Sequence, residues 1–300
     1  MPSWKSNLRI ALRKNYPIYL ATTKLMSMLG IPQRRYQAYQ PDTEWQGRID
    51  DVLACPDNSF FEHVQDAGQL QGPIQIMHNG IKIFAGSYYG LGGVTKMLEL
   101  NKGVHEPQEE KAFDIVVQSL KKERPTMVEM GSFWSFYSMT LLQTHPKGRC
   151  FMIEPEYESM WCGINNFKLN GMKGDFTHAF IDEQSGTLDG TKVTNLDDFV
   201  KEKSIDYIDI LHSDIQGFEL KMLQGAQQTF KDKKVSYVFI STHSNELHYG
   251  CVDFLKAQGF SILASADMEE TFSFDGLIVA KAPHVAGGID KIEIALKVTK

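Results

Sequence analysis

His212 and Asp214 stand two residues apart in the run Leu211-His212-Ser213-Asp214-Ile215-Gln216-Gly217-Phe218-Glu219-Leu220. An imidazole titrates near neutral pH and a carboxylate accepts protons or holds cations, so this pair could move a proton or bind a metal ion. If strand geometry continues to the end of the preceding apolar run, residues two apart point to one side. A second polar turn, Ser241-Thr242-His243-Ser244, closes the next apolar run about thirty residues on. Turns crowded with His, Asp and Gly at the carboxyl ends of buried strands are where open α/β folds keep their chemistry. Three uses stay open. His243 or His212 could be a general base. His212, Asp214 and His243 could hold a divalent metal such as Mg²⁺. Or the histidines could be satisfied structural groups. Glu246 and His248 follow His243 in a segment read as a loop, and the His-x-x-x-x-His spacing is not that of zinc proteases.

The elements that must carry these turns follow from periodicity. From Glu106 onward the pattern predicts a helix over 109–120, with Phe113, Val116, Val117 and Leu120 on one face. A strand over 127–130, a helix over 134–143 and a strand over 149–153 come next. A helix over 156–169 is stopped by Asn170-Gly171. Then come a strand over 176–181, a polar loop through Thr191, a helix over 196–200 and a strand over 205–211. The remainder reads as a helix over 219–229, a strand over 235–241, a helix over 251–258, and strands over 260–263 and 274–280. Seven strands with helices between most of them make a three-layer α/β domain, its mostly parallel sheet closed by an antiparallel pair. Asp275-Gly276 reads as a turn or a close approach.

The expected layout is an appendage over 1–104, the α/β domain over 105–283 and a tail over 284–300. In the appendage, Ile74 and Ile76 alternate, Asn79-Gly80 supplies a turn, and Ile81 and Ile83 resume, which predicts a hairpin over 74–84. Tyr88 and Tyr89 could form a lid or substrate platform, or pack as core. In the tail, Ile292, Ile294, Leu296 and Val298 alternate as an edge strand would. His105-Glu106-Pro107-Gln108-Glu109-Glu110 suits a capped helix start, and places His105 or Glu109 where a ligand could be reached.

Composition narrows the classes. The 300 residues carry 31 Lys plus Arg against 37 Asp plus Glu, a formal charge of −6, which gives no general drive toward nucleic acid. A local basic bias (Lys5, Arg9, Arg13, Lys14, Lys24, Arg34, Arg35) reads as a solvated helix face, with weak peripheral membrane association as the alternative. Cys55, Cys150, Cys162 and Cys251 form no CxxC pair, so free thiols in a reducing compartment are expected. With no long apolar stretch for a membrane span and no export signal, the expected location is cytoplasmic.

The turn Glu129-Met130-Gly131-Ser132-Phe133-Trp134-Ser135 links the first strand of the α/β domain to its helix. Gly131 lets the backbone approach a ligand, and the helix start, with Ser132, offers unpaired N–H groups. Phe133 and Phe136 stand where the second and third glycines of a dinucleotide loop would be, so a pyrophosphate has little room. Glu154, at the end of the next strand, is placed to accept two ribose hydroxyls or, more simply, to cap the following helix.

The ordered set Val128-Glu129-Met130-Gly131, Ile153-Glu154-Pro155, Asn166 with Leu169-Asn170-Gly171, Ile208 through Glu219, and Leu223-Gln224-Gly225-Ala226 resembles the FkbM-type S-adenosylmethionine-dependent methyltransferases over about 105–281. The resemblance implies a class I, Rossmann-like methyltransferase fold. It implies Glu129 and Gly131 beside the methionine part of the cofactor, Glu154 on its ribose, and Asp214 and Glu219 on a D-x-x-G-x-E turn beside the reacting methyl. Two departures stand out: Ser135 where a further Gly is common, and His212 where many members have Lys. The resulting expectation is methylation of a hydroxyl on a small molecule or carbohydrate, in a monomer or a homodimer. An NAD-dependent oxidoreductase and a non-catalytic nucleoside-binding or scaffold protein are the rivals.

Overall fold

A computed structural model describes residues 43–88 and 92–297, together with Leu25 and Tyr39. The basic N-terminal stretch and Tyr89 lie outside the described residues. Helix α1 (Thr43–Ala54) is followed by strands β1 (Leu70–Gln71), β2 (Ile74–Ile76) and β3 (Lys82–Phe84), then α2 (Gly92–Leu100). The alternating unit begins with α3 (Pro107–Ser119) and β4 (Thr126–Met130), then α4 (Phe136–Thr144), β5 (Arg149–Glu154), α5 (Tyr157–Leu169) and β6 (Asp175–His178). Short strands β7 (Phe180–Ile181), β8 (Gly186–Leu188) and β9 (Thr191–Thr194) lead to α6 (Leu196–Glu202) and β10 (Ile208–Ser213). The chain ends through α7 (Glu219–Gln224), α8 (Gln227–Lys231), β11 (Val235–Thr242), α9 (Asn245–Ala257), β12 (Ser261–Ala266) and β13 (Gly276–Lys281).

The main sheet has seven strands in the order β12-β13-β11-β10-β4-β5-β6. β13 runs antiparallel to both neighbours, and the strands from β11 to β6 are mutually parallel. This is the three-layer, mostly parallel seven-stranded sheet, closed by an antiparallel strand, that the sequence predicted. Its central strands are apolar runs because both faces are covered: all eight residues of β11 and all five of β4 are buried. Tyr237 and Phe239 join the core on one face, and Val238 and Ile240 the core on the other. Strand order reverses between β4 and β10, so the crevice at their carboxyl ends is the natural ligand position.

The first hundred residues contribute to that first core, through Ile49, Val52, Met77, Ile81, Ile83, Val94, Met97 and Leu98. β3 is also stapled to α5 by side chains that mimic a strand partner. Asn170 accepts from the Lys82 N–H at 2.9 Å and donates to its carbonyl at 2.7 Å, and Asn166 accepts from the Phe84 N–H at 3.0 Å. Asn166 also donates to the Trp134 carbonyl at 3.2 Å, tying the hairpin to the turn after β4.

Three local readings change. The polar loop before Thr191 contains a small sheet, β7-β9-β8. The helix expected over 219–229 breaks into α7 and α8 at Gly225, whose missing Cβ would sit 2.8 Å from that of Asn195. The tail is coil through residue 297 and not an edge strand. Ile292 donates to the Leu263 carbonyl, but the Ala295 N–H goes to Asp57 and the Lys297 N–H to the Glu270 carbonyl, so no ladder forms. The four cysteines are free.

Candidate active site

The turn after β4 and the turn after β10 meet edge to edge. Gly131 has φ +70°, and a Cβ there would lie 1.7 Å from the Asp214 carbonyl oxygen, so no larger residue fits without separating the turns. Phe133 (φ 44°), Ser135 (φ 61°) and Gln216 (φ 55°) also take the left-handed conformation that most side chains avoid. The value at Ser135 explains why glycine suits that position. Buried polar atoms without a partner gather at these turns: Glu129 Oε2, Ser132 Oγ, Ser135 Oγ, His212 Nδ1, Ser213 Oγ and Glu219 Oε2. Such atoms are costly unless a ligand or water meets them.

Glu154, buried at the end of β5, accepts from the Phe133 N–H at 3.1 Å and from the Glu156 N–H at 2.8 Å. Burial pushes its carboxyl up to about 8, although both N–H bonds act against the rise. It therefore shapes the turn after β4 as well as facing it, and each oxygen keeps acceptor capacity. Burial likewise raises Glu129 to about 7. His105 is buried against Trp134 (5.0 Å between ring centres) and Tyr88 (5.5 Å), and Tyr88 packs on Phe133 at 4.8 Å. Residues from before the sheet thus close over the turn after β4.

The sequence grouped His212, Asp214 and His243, and the structure separates them. His212 is 2 % exposed and lies under α3. Its Nε2 is 2.8 Å from Glu109 Oε1, Tyr137 packs on it in a tilted arrangement at 4.4 Å between ring centres, and Ser241 donates to the other Glu109 oxygen at 3.0 Å. Burial opposes its protonation, but the Glu109 bond and charge outweigh that and raise its pKa. The first turn of α3 holds two more such pairs. Glu106 lies 3.3 Å from His105 and takes the Tyr137 hydroxyl at 2.9 Å, while Glu110 lies 3.1 Å from His78 and caps the helix through the His105 and Glu106 N–H groups. Capping and side-chain pairing therefore both operate in the segment 105–110.

His243 faces the opening instead. Its Nδ1 is 2.6 Å from Glu219 Oε1, and its Nε2 lies 3.2 Å from Asp214, 3.3 Å from Asp275 and 2.7 Å from the Gln216 amide nitrogen. Glu219 is fully buried and also receives the Gly217 N–H at 3.0 Å, which fixes the D-x-x-G-x-E turn. Burial works against the imidazolium, yet Asp214, Glu219 and Asp275 together raise His243 to about 10. Burial and the Asp214 charge raise Asp275 to about 8, with His243 opposing. Asp275, read from the sequence as a turn marker, is thus part of the site. The close approach is real for its neighbour: a Cβ on Gly276 would lie 2.6 Å from Thr242 Oγ1. Glu246 is exposed, and His248 is buried between Thr242 (3.0 Å) and Ser265 (2.8 Å), outside this group.

Residues 131–262 match the family model described as Methyltransferase FkbM domain. Over that segment the chain is similar to FkbM methyltransferase domains. The match starts at Gly131 and ends in β12, so it takes in Glu154, Asp214, Glu219 and His243 but not α3 or Asp275. Among solved structures, a ribosomal protein L11 methylase from Lactobacillus delbrueckii subsp. bulgaricus is 13% identical, covering 59% of this chain and 80% of that one at a TM-score of 0.41. TrmK of M. capricolum, in complex with S-adenosyl-homocysteine, is 15% identical over 58% of this chain and 70% of that one, TM-score 0.39. A precorrin-6y C5,15-methyltransferase from Geobacter metallireducens GS-15 is 11% identical over 56% and 86%, TM-score 0.39. No curated protein matches the sequence significantly. The FkbM match over residues 131–262 and the strand order both support a methyltransferase reading. Among the described residues no helix is long and apolar enough to cross a membrane.

Proposed function

We propose that this FkbM-like domain methylates a hydroxyl oxygen of a small molecule or carbohydrate, and that the group around His243 assists loss of the hydroxyl proton. The observation that carries the reading is the position of Asp214, His243 and Asp275, half-open at the strand ends beside the crevice, while His212 is sealed behind Glu109. When bound, S-adenosylmethionine supplies an electrophilic methyl on a sulfonium; the C–S bond breaks as the O–C bond forms, leaving S-adenosylhomocysteine. The orphaned polar atoms at the turns of β4 and β10 suit the polar parts of such a ligand, and the surplus of carboxylates suits its positive charge. Glu154 is assigned to the ribose, Gly131 and Ser132 to the backbone approach, and Glu129 and Glu219 to positioning from beneath. His105 acts with Tyr88 and Trp134 as a wall. The hydroxyl proton leaves toward Asp214 and its partners and then to solvent, to which Asp214 is the most open of the three, with 32% of its side chain exposed. Aligning the acceptor oxygen against the methyl is the larger part of such catalysis.

The test is a panel of hydroxylated small molecules and sugars with labelled methyl donor. Transfer to oxygen that collapses in His243→Ala supports the reading. Transfer only to nitrogen or carbon acceptors, or undiminished turnover in His243→Ala, contradicts it.

A further inference from the structure

The geometry points to a divalent-cation site formed by Asp214, His243 Nε2 and Asp275, a donor set different from the one the sequence suggested because His212 is replaced by Asp275. One ligand atom from each of the three lies within 4.8 Å of the other two. The Nε2 separations of 3.2 Å to Asp214 and 3.3 Å to Asp275 are close to the edge of about 3.0 Å between adjacent ligands on an octahedral ion with bonds near 2.1 Å. The donors come from three separate elements: the turn after β10, the end of β11 and the start of β13. They converge without a shared local sequence pattern.

The imidazole is oriented as a ligand is. Its Nδ1 points at Glu219 Oε1, 2.6 Å away, which fixes the ring and leaves Nε2 to face the two aspartates. A buried carboxylate behind a histidine is the usual outer support of a metal ligand, and it strengthens the ring as a donor. A second and independent observation concerns charge and satisfaction. Glu219 is fully buried, and its Oε2 has no partner at all. Three carboxylates, Asp214, Glu219 and Asp275, therefore surround one imidazole in a half-closed crevice, an excess of acidic oxygens that a divalent ion would meet. Two hard oxygens and one imidazole nitrogen suit Mn²⁺ or Mg²⁺ better than a thiophilic metal. Gln216, with its amide 2.7 Å from Nε2, adds a carbonyl oxygen once the amide is turned end for end. Resting on the methyl-transfer reading, the ion's role is to take the acceptor hydroxyl as a further ligand and lower its pKa.

The test uses chelator-treated full-length protein and MnCl₂ alone, followed by the electron paramagnetic resonance signal of free Mn²⁺. The expected result is one Mn²⁺ per chain, displaced by excess Mg²⁺, with affinity reduced about tenfold or more in Asp275→Asn. Asp290→Asn, whose side chain is 93% exposed, serves as the control and binds like the wild type. Should Asp275→Asn fail to fold, the wild-type stoichiometry still decides: no binding above that of non-specific surface carboxylates overturns the proposal. Unchanged affinity in a folded Asp275→Asn does so as well. Binding of S-adenosylhomocysteine, measured separately on the same chelated protein, keeps the two ideas apart. Homocysteine-nucleoside binding without Mn²⁺ binding removes the cation alone, and Mn²⁺ binding without the nucleoside removes the methyl-transfer reading and its role for the ion.

Discussion

Two histidine–carboxylate groups sit within this fold, and they do different work. Under α3, His212, His105 and His78 each face one glutamate of a single helical turn, with side-chain exposures of 11% or less. At the strand ends, His243 faces three carboxylates and keeps 16% of its side chain open, with Asp214 at 32%. The sealed group matches each histidine to its own carboxylate and is closed off by Tyr137 and Ser241. The open group has more acceptors than protons to share. Matching holds the α3 layer against the sheet, whereas on the proposed reading mismatch suits a cationic or hydrogen-bonding visitor.

Breaking the two groups should therefore give opposite signatures. His243→Ala is expected to lower turnover about 10²–10⁴-fold while S-adenosylhomocysteine affinity holds; steady-state kinetics with parallel calorimetry check this. His212→Ala is expected to lower stability by about 3–5 kcal/mol, since Glu109 is then buried without its partner. A melting temperature that stays put would show that the α3 pair is not structural.

Glu154 sharpens the contrast from the cofactor side. Glu154→Ala is expected to weaken S-adenosylhomocysteine binding about tenfold or more with the fold retained, as a lost pair of hydrogen bonds to the ribose implies. Equal affinity would remove its ribose role. Its titration also has a sign. The folded pKa of about 8 lies above the ordinary 4.5, so its contribution to stability is intact below about 4.5 and is lost as pH rises toward 8. Glu154→Gln, which cannot ionise, should then melt higher than the wild type at pH 8 and alike at pH 5. The smallest effect belongs to the staple between β3 and α5. Asn170→Ala should cost about 1–2 kcal/mol for two lost bonds to Lys82, read by denaturant unfolding, with little change in cofactor affinity.

Much of this arrangement was legible in the chain. Apolar runs ending in Glu129, Glu154, Asp214 and His243 announce parallel strands with polar carboxyl ends, but the order of those strands in the sheet was not read from the sequence. The roles within the site were less legible. Residues two apart on a strand share a side, but the β10 strand ends at Ser213, and the turn carries Asp214 away from His212 toward the opening. Asp275 reaches His243 only because β13 inserts antiparallel beside β11, a pairing that no local spacing encodes. The signal available was Asp-Gly at the mouth of a buried strand, which reads equally well as a turn. Glu109 and Glu110 read as ordinary first-turn acids and Glu106 as part of the helix start, since their partners His212, His78 and His105 are scattered over more than a hundred residues. The break of the helix at Gly225 coincides with a close approach to Asn195, which lies about thirty residues earlier in the chain.

The most direct test of the whole account is calorimetric titration of S-adenosylhomocysteine into wild-type protein and into His243→Ala. One saturating site of similar affinity in both, with methyl transfer lost only in the variant, is the predicted result. A folded wild-type protein that binds no S-adenosylhomocysteine would contradict the account at its centre.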